Sequence, residues 1–372
     1  TQTGNGFASM LLGDAASATV PMATPTGSRF TNFALFLQDD FRVSSTLTLN
    51  LGVRWDYQPL PVEQYNRLGN WNPAVIDPLW NLPGALEFAS ADRRTFAPNH
   101  HRDFAPRLGF AWQATPRTTL RGAYGLFYLA RNGNGWSGVP WGQTAGFGQE
   151  NRVSTTLDYQ AAWNWNDPYP GVVRDLPQNA SLANGAPGIW GIVSYDPNSG
   201  KNAYAQQWNL NIQRELRPGL VLDLGYVGSK STAIQANELR RLNQLDPRYL
   251  ALGDALGVPV TSQATLPAAV AAAGGRYPFQ DTGISVPAWQ TLLPYPQMLG
   301  TNEIKSAFAP LGFSTYHALQ IQANQRYAHG LAFLWNYSFS KSIDNVRSAF
   351  GDTWGGNGGR PLDYYNQRLD KS

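Results

Sequence analysis

The chain contains no cysteine, so neither a disulfide framework nor a thiolate metal centre is open to it. It is also poor in charge. Asp, Glu, Lys and Arg make up 14% of its 372 residues, against roughly 25% in soluble domains. The net charge of +3 and isoelectric point near 9.0 come from scattered rather than clustered bases, which leaves no electrostatic footprint of a nucleic-acid binder. Long hydrophobic runs are missing too. Nothing approaches the roughly 20 apolar residues of a membrane helix, and the mean hydropathy is slightly polar at -0.34, so a helical membrane protein is not expected. Thr1–Ala8 shows no basic start followed by an apolar stretch, as expected if a leader has been removed or if the chain is a piece of a longer protein. What is abundant instead is aromatic surface and glycine, with 13% aromatics, 13 Trp and 37 Gly, a composition suited to strands that face lipid.

The strongest local signal is strict alternation. In Leu47–Tyr57 every odd position is apolar and every even one is small or polar, the mark of a strand with one greasy face. The pattern returns in Trp208–Gln213, Leu220–Tyr226 and Leu331–Phe339, and more weakly in Phe33–Val43, Arg107–Ala114, Leu120–Tyr128 and Leu319–Tyr327. These candidate strands pair through short turn-forming connections at 43–46, 115–117, 217–219 and 328–330, which predicts four hairpins. Between hairpins run long Pro-, Gly-, Asn- and Trp-rich stretches, Pro59–Asp103, Arg131–Asn202 and Lys230–Gly312, of a length that compact soluble domains rarely tolerate. Short turns at one end and long loops at the other are the asymmetry of a bacterial outer-membrane barrel, with the loops outside. The fold class expected is therefore all-β, an antiparallel transmembrane β-barrel with long extracellular loops. Aromatics placed for interfacial girdles are Trp55, Tyr57, Trp112, Tyr128, Tyr226 and Tyr337. A small eight-stranded closure is disfavoured by the loops, and a soluble sandwich is the competing architecture.

The wording of the strands carries a resemblance. Phe36-Leu37-Gln38-Asp39-Asp40-Phe41-Arg42 followed by Leu47–Arg54 is similar to a hairpin of TonB-dependent transporters. Ala105–Trp112, Leu120–Tyr128 and Gln206–Leu210 resemble consecutive strands of the Oar-like group, in the same order, as do Asn243–Gly253, Leu293–Gln297, Ser314–Gln320 and Tyr337–Asp344. The resemblance covers nearly the whole chain, treated as one domain, 1–372. It implies an outer-membrane receptor whose barrel, about 22-stranded in this class, surrounds a plug and imports a solute using energy relayed by TonB. No plug-like segment, TonB-contacting box or terminal aromatic strand end is found, so the expectation is a partial barrel with TonB and the plug as partners implied by the resemblance only.

Catalytic spellings fail on geometry. Ser338-Phe339-Ser340-Lys341 matches S-x-x-K, whose chemistry needs a helical turn, whereas strand residues three apart face opposite sides. Gly228-Ser229-Lys230-Ser231 lacks the glycine and helix of a phosphate loop and reads as a strand end entering a loop. His100, His101, His317 and His329 do not combine with carboxylates at metal-site spacing, and the adjacent Asp39 and Asp40 point to opposite faces. No catalytic residue, metal or cofactor is expected. Trp136, Trp141, Trp163, Trp165, Trp190 and Trp289 lie in the predicted loops, where they either contact a ligand or seal the barrel mouth by packing on each other. Arg54, Arg107, Arg121, Asn209, Asn211, Gln213, Gln320, Gln322, Asn324 and Arg326 are expected to face the lumen. The arginines there either guide an anionic substrate or pair with acids such as Asp56 and Asp223. The reading is a transporter barrel in outer-membrane lipid that takes an unidentified solute. A passive porin or adhesive barrel and a soluble β-rich binding module are the alternatives.

Overall fold

The structure is a computed structural model, and it describes residues 4–15, 17–21, 27–130, 150–154, 161, 163–166, 192–236, 240, 242–279, 283–298, 304–307, 309–328, 330–345, 363, 365–366 and 369. Its main element is an antiparallel meander in which each strand pairs with the next in sequence: β1 (Phe33–Arg42), β2 (Leu47–Tyr57), β3 (Asp103–Thr115), β4 (Thr118–Tyr128), β5 (Tyr204–Arg217), β6 (Leu220–Ile234), β7 (Gly312–Ala328) and β8 (Leu331–Asp344). Every strand lies where alternation predicts one. Several run further toward the long loops than alternation shows, because small residues there continue the ladder through backbone bonds that ignore side-chain polarity. Ser231 pairs with Ser314, for example. The Gly228–Ser231 segment, read above as a strand end, is thus inside β6. At the other ends Gly219 and Gly330 take left-handed φ of 83° and 81° in tight turns, a conformation glycine adopts without steric cost.

Register reveals the tilt. One continuous row of paired residues crosses the sheet from Asp39 through Leu51, Leu108, Tyr124, Trp208, Gly228 and His317 to Lys341. Asp39 stands three residues from the turn end of β1 (42 − 39), and Lys341 ten residues from that of β8 (341 − 331). The row therefore climbs seven residues over seven strand spacings. With a rise of about 3.3 Å per residue and about 4.8 Å between strands, that is a tilt of about 35°, the value of a transmembrane barrel wall.

The same pairing sorts side chains onto two faces. One carries Leu35, Leu49, Val53, Leu108, Leu210, Leu224, Ile321 and Phe339; the other carries Gln38, Asn50, Arg107, Asn209, Asp223, Gln320 and Asn336. Among residues placed by regular pairing, the apolar face holds four charged side chains. Asp39 and Arg214 stand three residues above the turns; Lys230 and Lys341 stand ten above them. The band between is free of charge. Trp112 and Trp335 mark its turn side, and Phe33, Trp55 and Tyr57 its loop side, where Trp55 stacks on Tyr57 with centroids 6.3 Å apart. Tyr226 and Tyr337, expected at strand ends, sit mid-strand because β6 and β8 are 15 and 14 residues long. Trp208 lies directly over its paired Gly228, where an added Cβ would fall 2.2 Å from the ring; the indole shields backbone that glycine leaves bare.

Candidate functional site

The polar face is the concave one. A hollow of about 580 Å³ is walled by residues of six consecutive strands, among them Gln38, Asn50, Arg107, Phe127, Asn209 and Ser229, and only the inside of a curved sheet can enclose such a space. A second hollow of about 340 Å³ shares Arg107 and Phe127 with it and continues toward the loops past Arg54, Asp56 and Gln58. Polar groups on this wall are held by one another. Asn50 Nδ2 donates to Asp40 at 2.6 Å, Asn211 donates to Asp223, and Arg54 Nε lies 3.0 Å from both Asp56 oxygens. Arg107 places its guanidinium 4.9 Å from the Phe127 ring centroid. The surface is thus a pre-ordered series of donors and acceptors lining the two hollows. At its loop end, buried Asp103 accepts from Asn202 and meets His100 Nδ1 at 2.6 Å.

Above the wall, the long connections fold into a cap. Residues 58–102 contain the hairpin Gly69–Ile76 with Pro83–Phe88, and Ile192–Tyr195 of the second connection pairs in parallel with Ile304–Ala307 of the third. Trp71, fully buried, packs with Leu86, Met298 and Ile304 and meets Tyr295 edge-on at 4.4 Å. Gly84, at φ 105°, is pressed against that indole so closely that a Cβ would lie 2.5 Å from it. Trp80 joins a second core with Val260, Val270 and Phe279, and Leu60 meets Tyr195 in a third. Polar clamps complete the joints: Asn243 bonds both the N–H and the C=O of Tyr295, and Asn70 accepts from Tyr195 N–H at 2.7 Å. The long stretches that alternation left as loops are therefore packed elements holding one another at the loop end of the wall.

A family model described as outer membrane beta barrel domain matches residues 1–372. The chain belongs to that family. An outer membrane β-barrel lies in the bacterial outer membrane, and its apolar band meets lipid. Among curated proteins no sequence matches this barrel domain. Solved structures similar to it include the outer membrane transporter YddB from Escherichia coli (10% identity, TM-score 0.37, covering 86% of this chain and 25% of that one). The alcaligin outer membrane receptor FauA from Bordetella pertussis (11%, 0.30, 91% and 32%) and the FrpB iron transporter from Neisseria meningitidis (10%, 0.29, 85% and 35%) are similar too. The chain spans about a quarter to a third of their lengths.

In this barrel domain, nine of the ten expected lumen residues share the polar face: Arg54, Arg107, Arg121, Asn209, Asn211, Gln213, Gln320, Gln322 and Asn324. Arg326 follows the last regular pair, where the register shifts before the turn. Arg54 pairs with Asp56, while Asp223 takes Asn211 rather than an arginine. Ser338 and Lys341 fall on opposite faces, as do Asp39 and Asp40. Of the loop tryptophans, Trp136, Trp141 and Trp190 lie outside the described residues, as does His329. Trp163 belongs to a short pairing with Asp14–Ala15, exposed Trp165 follows it, and half-buried Trp289 sits in a 3-10 turn, Ala288–Leu292, of the third connection. Trp71 and Trp80, on which the cap is built, were not singled out from sequence; an indole flanked by Asn70 and Asn72 carries no local sign of distant partners.

Two carboxylates in the cap make it sensitive to acid. Glu63 is 1% exposed, and burial pushes its pKa up. The N–H groups of Arg67, Gly27 and Tyr65, at 2.7–2.8 Å, together with the Arg67 guanidinium outweigh that and hold it below its ordinary 4.5. Glu87 behaves alike: its burial is outweighed by Asn70, Asn72 and Arg93. A depressed folded value contributes stability that is complete above the unfolded pKa and is lost as pH falls through the folded one. Protease resistance of the cap should accordingly stay level from about pH 7 to pH 5 and decline below about 4.5. Glu63→Gln should loosen the cap at neutral pH and flatten that profile; a profile unchanged by the substitution would sink the assignment.

Proposed function

We propose that the chain forms a sector of the barrel of a TonB-dependent transporter of the Oar-like group. It takes a bulky solute at the cap and passes it along the polar wall without covalent chemistry. The observation that carries this reading is the junction of the two hollows at Arg107 and Phe127, which gives a continuous path along the inside of the wall toward its loop end. The strand and loop wording quoted above supports it. An open sheet edge in lipid leaves backbone groups unpaired at several kcal/mol each, so β1 and β8 require neighbouring strands of the same wall. A plug inside that wall and TonB beneath it are part of this proposal.

The test uses the full-length protein in its own cells. Solute uptake should require both TonB and the proton gradient, and locking the cap with a disulfide between engineered cysteines on the hairpin Gly69–Ile76 and on 293–298 should reduce uptake at least tenfold, reversibly with reductant. Uptake that persists without TonB and scales linearly with external solute would establish a passive pore instead.

A further inference from the structure

The outward face carries a cationic cluster that neither the channel nor the cap uses. Lys230 on β6 and Lys341 on β8 both stand ten residues above their turns, and His317 on the intervening β7 stands eleven above its own (328 − 317). All three are exposed. The strands are about 4.8 Å apart and Lys230 pairs two residues along β7 from His317, so the lysines bracket His317 with roughly 12 Å between their backbones. Neither lysine has an ion-pair partner among the described residues, and no Asp or Glu shares the outward face of β5–β8 where regular pairing places it. The flanks are ordered aromatics. His317 stacks on Tyr226 at 6.1 Å, bonds its hydroxyl through Nδ1 at 2.7 Å, and meets Trp208 at 5.9 Å.

A lysine facing hydrocarbon is expensive unless its ammonium reaches the headgroup layer. Ten residues at about 3.3 Å, tilted by about 35°, put these two about 27 Å above the turns and about 19 Å above the level of Asp39 and Arg214, at the loop-side edge of the charge-free band. Two ammonium groups at headgroup height, with no acid beside them, lack a counter-charge among the described residues. We propose that Lys230, His317 and Lys341 form a binding site for a phosphorylated lipid headgroup of the outer leaflet, with Trp208 and Tyr226 packed along its acyl chains. The site rests on the outer-membrane placement of the sheet and is independent of the transport reading.

The experiment takes the full-length protein in detergent and measures by native mass spectrometry the binding of three probes: bisphosphorylated lipid A, its dephosphorylated form and phosphatidylethanolamine. At about fivefold per lysine near an anionic headgroup, the wild-type protein should bind lipid A about thirtyfold more tightly than the dephosphorylated form. Lys230→Gln with Lys341→Gln should lose that preference, while Lys230→Arg with Lys341→Arg and the channel variant Arg54→Gln should keep it. Inorganic phosphate at millimolar concentration should fail to compete, which identifies the lipid as the source of the phosphate. If the glutamine variant does not fold, the wild-type preference should still fall at 0.5 M salt, since screening weakens exposed charge pairs. Equal binding of phosphorylated and dephosphorylated lipid by the wild type, an unchanged preference in a folded glutamine variant, a salt-independent preference, or competition by free phosphate would each overturn the proposal.

Discussion

Trp71→Ala should release the cap from the barrel mouth while leaving the barrel itself folded. The indole is fully buried among Leu86 of its own hairpin and Tyr295, Met298 and Ile304 of the third connection, and its removal leaves a cavity lined by Leu86, Met298 and Ile304 whose cost is about 3–5 kcal/mol. Because Gly84 and Tyr295 both lean on that ring, the loss is shared by two connections and the joint between them opens. Limited proteolysis of intact cells should show new cleavage within 58–102 and 242–298, with the heat-modifiable gel mobility of the barrel unchanged. Trp71→Phe should cost markedly less, since the indole N–H has no hydrogen-bond partner among the described residues and the ring's contribution is packing. An alanine variant whose cap resists protease like the wild type would contradict this account of the cap.

The second large effect distinguishes the two faces of the sheet with neighbouring residues. Ile321 lies seven residues above the β7 turn (328 − 321), paired between Leu224 and Tyr337 on the outward face. Arginine at that depth faces the bilayer interior and should destabilise the folded barrel by about 2–4 kcal/mol. Gln322, one residue on, pairs between Asp223 and Asn336 on the channel side, where Gln322→Arg meets water and a carboxylate and should change stability little. Urea titration of the full-length protein in lipid vesicles measures both. Equal losses at the two positions would mean that both faces are dry, and an inverted pattern would mean that the sheet is curved the other way.

How far the sequence carried the reading depended on the range of the interaction concerned. Alternation is written into consecutive residues, and each apolar position of Leu47–Tyr57 had to face one side whatever its neighbours did. The turns were equally local: Pro218-Gly219 and Gly330 need only their own φ values. Where the signal faded, as at Ser229–Ser231, the strand went on regardless, since backbone pairing asks little of side chains. Tyr226 and Tyr337 were misplaced along their strands for that reason. The loop tryptophans show the opposite limit, because packing partners of the cap lie up to some two hundred residues away: Gln297 donates to Pro83 O at 2.8 Å, and no local pattern announces such a contact.

The sequence by itself determined the strands, their order, the face each side chain takes and the shortness of the turns, because periodicity of two and turn chemistry act between near neighbours and lipid tolerates only a closed or fully paired ladder. Only the tertiary structure decided the one-residue stagger per strand that tilts the wall, the joining of the long connections through Trp71, Trp80 and Asn243 into a cap, and the alignment of Lys230, His317 and Lys341 at one height. Those depend on register between strands and on contacts between connections far apart in the chain, where the stabilising energy is spread over pairs that no single segment contains.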